Sequence, residues 1–77
     1  MAIEVRPVQL ALAGDNEGAM LFRDGVLIAV LSRLGSHHDD LAGCWHVEAV
    51  FAGQHVLPHE HFPDVAAACS YFERAGV

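Results

Sequence analysis

A chain of 77 residues with a formal net charge of −6 has room for one small domain, residues 1–77, and repels rather than attracts a phosphate backbone. Ten carboxylates oppose four arginines and no lysine, so nucleic acid is excluded as the expected partner. The residues are 53% hydrophobic, with a mean hydropathy of +0.31, and no run approaches the ~18 apolar residues of a membrane span. So much apolar surface exceeds what one small core holds, and self-association as a homodimer is the expected remedy. Glu4 and Arg6 lie where a secretory signal needs its apolar segment, which makes a cytoplasmic location the expectation. In that setting Cys44 and Cys69, without metal-type spacing, read as free thiols.

In chain order, Ile3 to Leu12 alternates loosely and contains Pro7, so it is an edge strand or a strand starting at Val8. Gly14–Gly18 (GDNEG) is turn chemistry and reads as a solvated acidic loop, its spacing matching no calcium loop. Gly18–Leu34 reads as a β-hairpin around Asp24-Gly25, a dipeptide suited to a type I′ turn. A two-residue loop pairs Arg23 with Val26, Phe22 with Leu27, Leu21 with Ile28 and Met20 with Ala29. One face then carries Met20, Phe22, Leu27, Ala29 and Leu31, and the other Ala19, Leu21, Val26, Ile28 and Val30. Both are apolar, so both need cover.

Gly35–Gly43 (GSHHDDLAG) is a polar loop between strands. His37, His38, Asp39 and Asp40 all bind metals, but four consecutive residues cannot converge on one ion, so a site here needs ligands from elsewhere. Cys44–Ala52 alternates as a half-buried strand, with Trp45, Val47, Ala49 and Phe51 on one face and Cys44, His46, Glu48 and Val50 on the other. A type II′ turn at Gly53-Gln54 folds the next segment straight back, pairing Ala52 with His55 and Phe51 with Val56, until Pro58 confines it to an edge or ends it. Phe62–Gly76 is the one helix expected. Pro63 suits its first position, Asp64 the positive end of the dipole and Gly76 the C-terminal cap. Val65, Ala68, Cys69 and Phe72 form its apolar stripe.

The fold expected is therefore α+β: an antiparallel meander of four to five strands with one C-terminal helix packed on one face, over Trp45, Val47, Phe51 and one side of the first hairpin. Two strands followed by F-x-D-x-x-A-A at Phe62–Ala68 resemble the layout of three-stranded-sheet-plus-helix DNA-binding modules such as plant AP2-type domains. The basic strand residues that read DNA in such modules are absent here, so neither their function nor any residue carries over.

Three functions are expected, in descending order. The first is a non-enzymatic protein-interaction module that self-associates through an edge strand or the uncovered hairpin face, with Leu21, Val26, Ile28 and Val30 as its interface. The second is binding of zinc or another divalent metal. Continuing the return strand past Pro58 sets Glu48 opposite His59 and His46 opposite His61, so that His46, Glu48, His59 and His61 share one face. The same residues also suit a pH-responsive surface. The third is an acidic decoy for a basic site on a nucleic-acid-handling protein, supported by net charge alone. No phosphate loop, GxSxG or HExxH motif is present, and no enzyme activity is expected, with metal-assisted hydrolysis as the alternative left open.

Overall fold

In the computed structural model, which describes residues 3–51 and 61–75, four strands run in chain order and each pairs antiparallel with the next. They are β1 (Glu4–Gln9), β2 (Glu17–Arg23), β3 (Val26–Arg33) and β4 (Trp45–Val50). One helix, α1 (Val65–Ala75), packs on the sheet, so the α+β meander expected from sequence is the observed fold. The expected fifth strand is represented among the described residues by one bridge, Trp45 to Phe62. The Gly53-Gln54 turn, Pro58 and Gly76 lie outside the described residues. No helix among the described residues is long and apolar enough to cross a membrane.

Proline places β1 at the edge, as expected. The N–H of Leu10 donates to the carbonyl of Asn16 at 2.8 Å, which makes the even-numbered residues of β1 the ones bonded to β2. Val5, Pro7 and Gln9 therefore turn their backbone groups away from the sheet, where the missing N–H of Pro7 costs no ladder bond. The β2–β3 turn is also as read: Asp24 and Gly25 both have positive φ, 53° and 81°, as a type I′ turn requires.

Beyond the turn, the hairpin departs from its expected register. Arg23 pairs with Val26 and Phe22 with Leu27, but Leu21 then pairs with Ala29 and Met20 with Val30, leaving Ile28 as the extra residue of a bulge. Because side chains alternate with a period of two, one extra residue exchanges the faces of everything beyond it. Ala19, Leu21, Ala29 and Leu31 are thereby gathered into the same core, two from each of the faces expected, and Ile28 is buried with them. A second bulge sits between β3 and β4, where Val47 pairs with Leu31 and Ala49 with Val30, leaving Glu48 over. This corrects the expected alternation of β4. Val47 and Val50 both pack on the core, whereas Phe51, expected beneath the helix, is 61% exposed.

The helix begins later than expected because Asp64 is its N-cap rather than a first-turn residue. The Asp64 carboxylate accepts the N–H of Ala67 at 2.8 Å, satisfying one of the free donors at the helix start. Its stripe is the expected one, with Ala68 and Phe72 buried and Val65 and Cys69 packed against the core. Phe62, Tyr71 and Phe72 pack tilted and edge-to-face in sequence, with ring centroids 5.6 and 5.2 Å apart. The sheet side away from this core is not bare: the Arg6 guanidinium lies 4.7 Å from the centroid of Phe22.

Candidate metal centre

Two connections, far apart in sequence, meet at one end of the sheet. The first joins β1 to β2 and turns at Gly14, whose φ of 80° few other residues tolerate. The second joins β3 to β4. It was expected as a polar surface loop and contains a 3₁₀ segment, Ser36–Leu41, kinked at Asp39, where φ is 54°. The N–H of His38 donates to the carbonyl of Gly35 at 3.1 Å, folding the two histidines back over the start of the segment.

The junction is made by glycines. A methyl group on Gly14 would lie 2.5 Å from Cε1 of His37, and one on Gly35 would collide with the backbone carbonyl of Gly14. Only with hydrogen at both positions do the loops approach closely enough for Asp15 to reach across. Its Oδ1 then accepts the N–H of Gly35 at 2.8 Å, and its Oδ2 lies 2.8 Å from Nε2 of His38. Nε2 of His37 is 3.7 Å from Oδ1, and the two imidazole rings tilt by 42° with centroids 4.0 Å apart.

Asp15 is largely shielded, at 17% side-chain exposure, while His38 is half-buried and His37 faces solvent. The Gly35 amide, and then the His38 hydrogen bond, hold the Asp15 carboxyl below its ordinary range despite some desolvation. It is therefore an anion at neutral pH, braced by the backbone and aimed at two imidazoles. One donor atom from each of Asp15, His37 and His38 falls within 4.8 Å of the others. Among the described residues this trio alone achieves that.

Two imidazoles and one carboxylate are a donor set that zinc accepts, and the Gly35 N–H on Asp15 is the outer hydrogen bond such a carboxylate needs. Three protein ligands leave a fourth position for water or another donor. Sequence reasoning found the two histidines and recognised that they needed help, but treated the acidic loop that supplies it as separate. Only the glycine spacing hinted at the contact, since Gly14 and Gly35 flank the residues that converge.

The residues proposed from sequence are not part of this trio. His46 and Glu48 lie on β4, His61 precedes the helix, and His59 lies outside the described residues. The Trp45–Phe62 bridge aligns His46 with His61, in the register expected, and their ring centroids are 5.5 Å apart. Glu48, displaced by its bulge, instead accepts a 2.6 Å hydrogen bond from the buried hydroxyl of Ser32. The four residues expected at an interface do not share an exposed face. Leu21 and Ile28 are buried within the chain, Val30 is half-buried, and Val26 is exposed beside the turn. Cys44 and Cys69 are free thiols, and burial, aided by Glu73, pushes that of Cys69 above the usual thiol range. Comparison with known proteins finds no matching family model, no matching curated protein and no matching solved structure.

Proposed function

We propose that this chain binds a divalent metal ion of the zinc class through Asp15, His37 and His38. The carrying observation is the convergence of three donor atoms within 4.8 Å from two connections more than twenty positions apart in the chain. The bound ion would take the place of the Asp15–His38 hydrogen bond and add His37 to the same junction, tying the β1–β2 connection to the 3₁₀ segment. A ligand that binds only the folded chain stabilises it, so the metal would act as a staple for a small core. Calorimetric titration with zinc tests this. One equivalent should bind the wild type and raise its melting temperature, and Asp15→Asn or His38→Ala should remove both effects. Equal binding by these variants and the wild type would refute the assignment.

Self-association is a second reading with a narrower basis than the sequence suggested. Val26 and Phe51, 63% and 61% exposed, lie towards the Asp24-Gly25 end of the sheet and supply apolar surface there. Sedimentation of the wild type against Phe51→Ser tests it, a shift from dimer to monomer being the supporting result.

A further inference from the structure

We infer that His46 and His61 form a second metal site, independent of the loop trio: a two-histidine chelate across the sheet margin for one Ni(II) or Cu(II) ion. The inference starts from backbone register. Trp45 and Phe62 exchange both backbone hydrogen bonds, N–H to carbonyl, at 2.7 and 2.9 Å. The next pair outward in an antiparallel ladder is non-hydrogen-bonded, with Cα atoms only about 4.5 Å apart and side chains close on one face. His46 and His61 occupy that pair.

Their ring centroids, 5.5 Å apart with planes 35° from parallel, fall within the range that one ion allows two imidazoles. With metal–nitrogen bonds of about 2.0–2.1 Å and the ring centre about 1.1 Å beyond, centroids lie between about 4.5 Å for ligands at a right angle and about 6.4 Å for ligands in trans. His61 is exposed and His46 half-buried, so an ion reaches the pair from solvent without rearrangement of the core. Two imidazoles with water completing the shell suit Ni(II) and Cu(II), which lie high in the affinity order for nitrogen donors. Glu48 is the extra residue of the β4 bulge and its Oε2 accepts the Ser32 hydroxyl, so the inference rests on the two histidines alone.

The single tryptophan stands next to His46, so its emission reports on a paramagnetic ion bound there. Nickel is the probe, since the two free thiols do not reduce it. The experiment uses the full chain carrying Asp15→Asn and His38→Ala, which disables the loop trio and leaves the sheet site in place. Saturable quenching of Trp45 at one equivalent of nickel is expected. His46→Ala or His61→Ala in that background should weaken it about 100-fold, the loss that follows when a second tethered ligand no longer adds its effective concentration. Glu48→Gln should change affinity by no more than about fivefold, as for an exposed charge nearby. His61 is exposed, so His61→Ala is the variant least able to disturb folding, and an unchanged circular dichroism spectrum checks that it has not. Absence of saturable quenching, or quenching that His61→Ala leaves intact, overturns the inference whatever zinc does in the wild type. Loss of zinc binding alone would instead count against the loop trio.

Discussion

Two histidine pairs among the described residues are built on opposite principles. His37 and His38 are neighbours in sequence and become a candidate centre only through Asp15, delivered by a distant connection and fixed by a backbone amide. His46 and His61 are distant in sequence and are brought together by strand register alone. The first arrangement has a braced anion and three donors but depends on a glycine-to-glycine contact. The second has two donors and depends on a ladder of ordinary hydrogen bonds. A site assembled by loop contact is thus more completely furnished and easier to dismantle than one assembled by pairing.

The sharpest way to separate them is Gly35→Ala. The added methyl collides with the carbonyl of Gly14, so the connections must part and Asp15 loses its reach. Zinc affinity should drop about 100-fold, as expected when ligands cease to be held together, while nickel quenching of Trp45 stays unchanged. Equal damage to both would show that the two sites are coupled. Next in size is Asp64→Ala, which removes the helix cap and should cost about 1 kcal/mol of stability, or a fall in melting temperature of about 4–8 °C. Because Asp64 lies close in sequence to His61 and far from the loops, any loss of affinity should fall on the nickel site.

Acid probes the loop pair in the metal-free protein. The folded-state pKa of Asp15 is depressed, so the stability it contributes is present above the unfolded carboxylate value of about 3.9 and is lost as pH falls through the lower folded value. Asp15→Asn should flatten the acid limb of a stability-versus-pH curve measured by denaturant melts. An unaltered limb would mean that the Gly35 and His38 contacts do not hold in solution. The smallest effect concerns neither site: Cys69, its thiol pKa raised, should be alkylated more slowly in the folded chain than after denaturation.

This contrast also explains what was legible in the sequence. Period-two alternation, the Asp24-Gly25 turn and the helical stripe at Val65, Ala68, Cys69 and Phe72 are local signals, and the order of elements followed from them. The His46–His61 alignment was legible for the same reason, since register propagates from a turn. The extra residues Ile28 and Glu48 were not, because a bulge follows from how three strands pack together and leaves no local mark. Each exchanged the two faces beyond it, which is why Val50 rather than Phe51 reached the core. Asp15 was missed because, beyond the glycine at its start, GDNEG carries no mark of the connection it lies against.

Pro7 has a consequence for the molecule in a crowded solution. A sheet of this composition with an open margin is a template on which further strands can be laid, the first step toward fibrous aggregates. Of the three residues that turn their backbone outward on β1, Val5, Pro7 and Gln9, the middle one has no hydrogen to give. An incoming strand would find its central bond missing and a pyrrolidine ring in its place. Replacing Pro7 with valine would restore that bond, and the chain should then form thioflavin-positive aggregates at concentrations where the parent stays clear.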